Sequence, residues 1–265
     1  GGNSRASRGS LFDCRHSCIS IRLKTYMYNI KYLFIVQSIM INHNCGIFGI
    51  VDSNASILSV DIIKKLDHRG HDSAGIVICP TIDSTNKKIF VEHKMIGSSS
   101  DVFNGYTIDE PANIAIGHTR YSTITNKANI MANTQPFVFE KFAMVHNGNI
   151  PLINKYCHEF DIEYDSELSD SYLLGVIISG LYHIDNNWAK VLNYIVDNLL
   201  GAYSLIILSD GIMYALRDKY GIRPLTYGVT DSGYIIVSET HAVPKDIDII
   251  YTDMDPGEIL SFSEH

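Results

Sequence analysis

The sequence predicts an α+β fold, in which a first group of β-strands is followed by helices and then by a second group of strands. Short apolar segments separated by turn residues recur between positions 47 and 145. Longer segments with helical spacing of apolar residues occupy positions 150–199, and strand-like segments return over 203–238. Strands and helices grouped in blocks are typical of an α+β protein and not of a regular parallel α/β one.

The individual elements follow from these local patterns. The first strands are predicted over 47–51, 75–79, 88–93, 114–119 and 143–145, with a short helix over 60–66. Helices are predicted over 150–160, 169–181 and 188–199, and Ser169 with Asp170 supplies an N-terminal cap for the second. The last strands are predicted over 203–208, 212–217, 225–229 and 234–238. Residues 97–103 and 123–133 lack periodicity and are predicted to be loops.

Charge is distributed unevenly along the 265 residues. Residues 1–44 contain six Lys or Arg and one Asp, which gives them a net charge of +5. Because the whole chain has a net charge of −8, residues 45–265 have a net charge of −13. A domain this acidic argues against nucleic-acid binding, which requires basic patches. The apolar block near residues 32–41 is too short to span a bilayer, so no membrane partner is expected.

The basic, acid-poor residues 1–44 are set apart from a predicted domain over residues 45–265. One expectation is non-native upstream sequence, with translation beginning at Met40 and residues 40–44 as a short propeptide. The other is an organelle-targeting leader. A cytoplasmic location is predicted for the domain, with organelle targeting as the alternative.

The five cysteines indicate a reducing compartment and no metal site. They are odd in number, and no closely spaced pair within the domain is typical of a zinc site. Cys79 lies in an apolar run and is predicted to be a small core residue. The cysteines are Cys14, Cys18, Cys45, Cys79 and Cys157.

Cys45 is the candidate nucleophile, because it opens the run CGIFGI at the start of the first predicted strand. If the peptide bond between Asn44 and Cys45 were cut, Cys45 would own a free α-amine with a pKa of about 7.7–8.0. Such an amine could accept the thiol proton near neutral pH.

Several polar motifs lie at the ends of the predicted elements, where catalytic groups are commonly found. Taken together and in order, they resemble the glutaminase domain of the class II glutamine amidotransferases, a family with an N-terminal cysteine nucleophile. Within that family they are most similar to the amidophosphoribosyltransferases. The motifs are HRGHDSAG at 68–75, GHTRYST at 117–123, NTQPF at 133–137, HNGN at 146–149, SDS at 169–171, GAYS at 201–204, RDKYGIRPL at 217–225, SET at 238–240 and DPGEI at 255–259.

The resemblance implies a four-layer α/β/β/α sandwich of two antiparallel sheets, the N-terminal nucleophile hydrolase type. It also implies hydrolysis of the glutamine side-chain amide to glutamate and ammonia, with Cys45 forming a thioester. The side-chain amide of Asn147 and the backbone N–H of Gly148 would stabilise the oxyanion. His118 and His146 would then be packed or oriented histidines and not bases.

The same resemblance assigns residues to the two charged ends of glutamine. Arg120 matches the position that binds the α-carboxylate, and Asp170 the position that receives the α-ammonium. Thr123 would add a hydroxyl contact to the carboxylate. Arg69 would shape or close the site, and a structural role for it in the loop is the open alternative.

The expected partners are L-glutamine and a phosphoribosyltransferase acceptor domain that transfers ammonia to phosphoribosyl pyrophosphate in the first step of purine synthesis. That acceptor domain is not recognisable in the sequence and would be a missing C-terminal half or a separate chain. No cofactor is expected in this domain, and a homo-oligomer is left open.

Two alternatives remain within the same chemistry and one outside it. Hexosamine-forming relatives typically carry Tyr where His71 stands and Trp where Tyr121 stands, and asparagine synthetases usually carry Glu where Asn149 stands. The alternative of another class is a catalytically silent regulatory or interaction domain in which Cys45 stays unprocessed.

Overall fold

The computed structural model describes residues 45–80, 90–121 and 129–264. Twelve strands within these ranges form two β-sheets, and every strand pairing is antiparallel. The strands are β1 (Gly46–Val51), β2 (Ser73–Pro80), β3 (Val91–Ile96), β4 (Ala112–Arg120), β5 (Phe137–Val138), β6 (Ala143–Asn149), β7 (Ala202–Ser209), β8 (Ile212–Arg217), β9 (Thr226–Val229), β10 (Tyr234–Val237), β11 (Ile250–Asp253) and β12 (Ile259–Ser263). The seven-stranded sheet has the order β11-β9-β10-β1-β4-β2-β3, and the five-stranded sheet has the order β12-β8-β7-β6-β5.

The helices of the described residues lie in the connections between these strands. They are α1 (Ala55–Lys65), α2 (Ser99–Val102), α3 (Ile153–Glu159), α4 (Asp170–Asp185) and α5 (Trp188–Asn198), with 3₁₀ turns at Asp67–Arg69 and Thr240–Ala242. None of the helices in the described ranges combines the length and the apolar character that crossing a membrane requires.

Alternation of side chains along the strands builds four layers. On β1, Ile47 packs in one cluster with Val145 and Ile206 of the other sheet, whereas Phe48 packs with Ile63 of α1 on the outer face. Apolar residues on the outer face of the second sheet pack against α4 and α5 in the same way. The order is helix, sheet, sheet, helix, which confirms the predicted α/β/β/α sandwich.

Most predicted elements are present, although several of their limits differ. The first helix begins at Ala55 and not at the predicted residue 60. Its first turn was not predicted because Ser56 and Ser59, although buried, interrupt the apolar pattern of the sequence. The helix predicted from residue 150 begins at Ile153. The third strand runs over Val91–Ile96, beyond the predicted end at 93, because it pairs with β2 along that length.

Other predictions were wrong or incomplete. Residues 97–103, predicted to be a loop, contain α2, which is capped by the Ser98 side chain accepting a hydrogen bond from the Asp101 N–H. The loop prediction at 123–133 falls largely on residues outside the described ranges. Strands β5, β11 and β12 were not predicted. All four residues of β11 are exposed, so no buried face marks that strand in the sequence.

Candidate active site

Cys45 lies immediately before β1, a central strand of the seven-stranded sheet. Side-chain hydroxyls hold the backbone that follows it: Gly46 N–H donates to Thr119 Oγ1 at 3.2 Å, and Ile47 N–H donates to Ser238 Oγ at 3.1 Å. The half-buried thiol lies 3.8 Å from the backbone carbonyl oxygen of Tyr121. The candidate nucleophile is therefore anchored at a rigid sheet end.

The environment of Cys45 keeps its thiol protonated. Burial raises the pKa of the Cys45 thiol, while the positive charges of Arg120 and Arg223 act in the opposite direction and do not outweigh it. A thiol with a raised pKa is a weak nucleophile at neutral pH and needs a base to take its proton.

A cavity of about 240 Å³ opens beside the thiol. Four of the predicted site residues line it together: Cys45, Arg120, Gly148 and Asp170. Opposite charges therefore lie in one small cavity with the thiol, an arrangement that suits an amino-acid-sized zwitterion. The complete lining is Cys45, Arg120, Tyr121, Asn133, Gln135, His146, Gly148, Asn149, Leu168, Ser169, Asp170 and Ser171.

Arg120 ends β4, and its backbone is held by the loop that contains Gly70. Asp72 N–H donates to the Arg120 carbonyl at 3.0 Å. A Cβ at Gly70 would lie 2.4 Å from the carbonyl carbon of Arg120, so only glycine allows the loop to pack this closely. The loop that contains the HRG motif thus packs against the Arg120 backbone and holds it in place.

Asp170 is the first residue of α4, and the predicted cap is confirmed: Ser169 Oγ accepts a hydrogen bond from Tyr172 N–H at 3.2 Å. Asn133 holds the preceding segment, since its Oδ1 accepts from Ser169 N–H at 2.6 Å and its Nδ2 donates to the Glu167 carbonyl at 2.8 Å. A carboxylate in the first turn of a helix is also favoured by the helix dipole.

Asn147 and Gly148, the predicted oxyanion donors, lie near the end of β6. The side chain of Asn147 is fully buried, does not line the cavity, and its Nδ2 and Oδ1 have no hydrogen-bond partner among the described residues. Unsatisfied buried amides are rare and mark strain or function. A Cβ at Gly148 would lie 2.1 Å from the Ala202 carbonyl oxygen, so packing against β7, and not only access to a substrate, requires glycine here.

The two other predicted substrate contacts are not part of the cavity wall in the described residues. Arg69 lies outside the lining, with its Nε 3.8 Å from Glu239 Oε2. His68 Nε2 lies 2.7 Å from the same carboxylate oxygen. This placement favours the structural alternative for Arg69, which holds the loop next to Arg120. Thr123 lies outside the described residues.

The two histidines of the motifs differ in their surroundings. His118 is fully buried on β4, and burial is the main reason that its pKa falls to about 3, with smaller contributions from the charges of His146 and Arg120. His118 is therefore neutral at physiological pH. His146 lines the cavity, and its Nδ1 lies 2.7 Å from Ser171 Oγ.

Sequence reasoning did not assign Asn133, Gln135 or Ser171 to the site, although all three line the cavity. Gln135 Oε1 accepts from His146 N–H at 2.6 Å, and its Nε2 donates to the His146 carbonyl at 3.1 Å. The sequence feature that could have identified Asn133, Gln135 and Ser171 as site residues is their position inside the NTQPF and SDS motifs. Among the described residues, no group of three or more His, Cys, Asp or Glu is placed to hold a metal ion.

Comparisons with known proteins agree with this arrangement. A sequence model described as the glutamine amidotransferase domain matches residues 118–245. Amidophosphoribosyltransferase from Methanothermobacter thermautotrophicus is 34% identical over 235 residues, covering 83% of this chain and 47% of that protein. The human amidophosphoribosyltransferase is 30% identical over 265 residues, covering 87% of this chain and 50% of that protein.

The fold is also similar to a solved structure, the glutamine phosphoribosylpyrophosphate amidotransferase from B. subtilis complexed with ADP and GMP. The TM-score is 0.66 at 27% sequence identity, over 82% of this chain and 47% of the other. The chain thus spans about half the length of the curated relatives that it matches. Residues 118–245 therefore match a glutamine amidotransferase domain, and over most of its length the chain is similar in sequence and fold to the amidophosphoribosyltransferases.

Proposed function

We propose that this domain hydrolyses the side-chain amide of L-glutamine to glutamate and ammonia. The observation that carries the proposal is the single cavity of about 240 Å³ lined by Cys45, Arg120, Gly148 and Asp170. A guanidinium and a carboxylate in that cavity complement the α-carboxylate and α-ammonium of an amino acid, and the thiol lies in the same space.

In the proposed reaction, the Cys45 sulfur attacks the amide carbon, and its proton passes to the α-amine of Cys45, freed by removal of the preceding residues. The backbone N–H of Gly148, which lines the cavity, donates to the oxyanion of the tetrahedral intermediate. The side-chain amide of Asn147, which has no partner among the described residues, turns toward the cavity to supply the second hydrogen bond. Collapse of the intermediate breaks the carbon–nitrogen bond, and the leaving nitrogen takes the proton and departs as ammonia. Water then hydrolyses the thioester and releases glutamate.

We further propose that the ammonia is transferred to phosphoribosyl pyrophosphate by an acceptor domain in the remainder of a longer chain or in a separate chain. The support is the name of the relatives, amidophosphoribosyltransferase, and the fact that this chain spans about half of their length. A cytoplasmic location and the lack of a cofactor in this domain stay predictions.

The test is glutamine hydrolysis by protein whose mature N-terminus has been established by mass spectrometry. Glutamate release is measured for the wild type, for Cys45→Ala and for the matched control Cys79→Ala, whose thiol is buried in the core. Cys45→Ala should lower kcat by about 10³-fold or more, as for other catalytic nucleophiles. Cys79→Ala should keep at least half of the wild-type rate.

Hydrolysis by Cys45→Ala at the wild-type rate would refute the proposed nucleophile. A correctly processed wild type that releases no glutamate would refute the proposed activity itself and favour the catalytically silent alternative.

A further inference from the structure

A series of hydrogen bonds connects β6 with the first turn of α4 beside the cavity. His146 Nδ1 lies 2.7 Å from Ser171 Oγ. Asp170 Oδ1 accepts from Ser171 N–H at 2.8 Å and lies 3.3 Å from Ser171 Oγ. His146 and Ser171 are only 1% and 6% exposed, so water does not compete effectively for these bonds.

The other carboxylate oxygen of Asp170 is also bound to the β6 segment. Asp170 Oδ2 accepts a hydrogen bond from the backbone N–H of Ile150 at 2.8 Å, and Ile150 directly follows β6. One oxygen is therefore connected to β6 through Ser171 and His146, and the other through Ile150. The proposed oxyanion donors, Asn147 and Gly148, lie between these two attachment points.

His146 is itself held in place from the other side of the strand. Strand β5 pairs with β6 only at residues 143 and 144, so it does not reach His146. The side-chain amide of Gln135 replaces the missing strand by bonding both the N–H and the carbonyl of His146, at 2.6 and 3.1 Å. The imidazole that contacts Ser171 is thus attached to a fixed backbone.

We propose that Ser171 and His146 are positioning residues that set the Asp170 carboxylate at a fixed distance from Asn147 and Gly148, and so confer selectivity for substrates with an α-ammonium group. They act through Asp170 and do not contact the reacting amide. The inference rests on the proposed glutaminase function, and deepens it by naming what makes the site selective for an α-amino acid.

The decisive experiment compares L-glutamine with 4-carbamoylbutanoate, which is glutamine without its α-amine. KM and kcat are measured for L-glutamine, and 4-carbamoylbutanoate is measured as a competitive inhibitor, so its Ki is obtained whether or not it is hydrolysed. Ser171→Ala should raise the KM for L-glutamine about tenfold, because a hydrogen bond to a charged group is lost from the ammonium site. The kcat should stay within about threefold of the wild type, and the Ki for 4-carbamoylbutanoate should stay unchanged.

Conservative variants separate positioning from general damage. Ser171→Thr keeps the hydroxyl and should resemble the wild type. His146→Asn places an amide near the position of Nδ1 and should largely preserve binding, whereas His146→Gln displaces that group and should raise the KM as Ser171→Ala does. Ser209→Ala is the matched control, because Ser209 is also buried and its hydroxyl donates to the Lys141 carbonyl at 2.8 Å, away from the cavity. It should leave KM and Ki unchanged, and thermal unfolding of each variant should confirm that it is folded.

Parallel increases in the KM for L-glutamine and the Ki for 4-carbamoylbutanoate in Ser171→Ala would overturn the inference, as would no change in either. Either outcome with an active wild type leaves the proposed function intact. A wild type without glutaminase activity refutes the proposed function and, with it, this inference.

Discussion

Lowering the pH should destabilise the domain through one buried side chain, His118. This residue lies on β4 directly opposite Ile47 of β1 and Gly75 of β2, with no exposed surface. Burial disfavours the imidazolium and lowers the pKa of His118 from 6.5 to about 3, and the charges of His146 and Arg120 act in the same direction.

The sign and size of the effect follow from the difference between the folded and unfolded states. Below pH 6.5 the unfolded chain protonates this histidine while the folded protein does not, so stability falls as the pH falls towards 3. The expected loss from His118 alone is about 1 kcal/mol at pH 5.5 and about 3 kcal/mol at pH 4.5.

Urea denaturation at pH 7.5, 5.5 and 4.5 measures this loss for the wild type, for His118→Gln and for the exposed-site control His241→Gln. Comparing the proteins at each pH removes the contribution of other groups, including Asp218, whose carboxyl pKa is raised by burial. His118→Gln should lose less stability on acidification than the wild type by the amounts above, and His241→Gln should follow the wild type. If the wild type and His118→Gln lose stability in parallel, His118 is not the buried neutral histidine described here.

Three further substitutions test the packing around the site. Gly148→Ala should cost about 1–3 kcal/mol in urea denaturation, because its Cβ would meet the Ala202 carbonyl oxygen. Gly180→Ala, which meets no atom within 4 Å on α4, is the control and should be neutral or stabilising; equal losses would contradict the reasoning. Asp218→Asn should cost about 2–4 kcal/mol by the same measurement, since its buried carboxylate accepts four backbone N–H groups; an unchanged midpoint would refute it. Gly70→Ala should displace the Arg120 backbone and raise the KM for glutamine, and an unaltered KM would show that Gly70 does not support the site.

The regular elements could be predicted because their signals are local. The short apolar run at residues 47–51 and the helical spacing along 188–199 depend on neighbours in the sequence, and the structure has β1 and α5 there. Elements without such a pattern were missed. Strand β11 is exposed throughout and exists because it pairs with β9, which no local pattern shows. Likewise, the first turn of α1 was not predicted, because its buried serines interrupt the apolar pattern.

The site residues show the same difference between what local sequence indicates and what tertiary packing decides. In the sequence, Cys45 was a candidate through its own chemistry, whereas Arg120, Gly148 and Asp170 became candidates only because the motifs, in their order, resemble the glutamine amidotransferases. Only the tertiary structure brought them around one cavity, placed Arg69 outside it, and showed that Gly148 must be glycine to pack against β7. The physical reason is that hydrogen bonds such as His146 to Ser171, and Gln135 to the His146 backbone, join residues from separate strands and helices. Their partners are set by how the layers pack, and packing is a property of the whole chain.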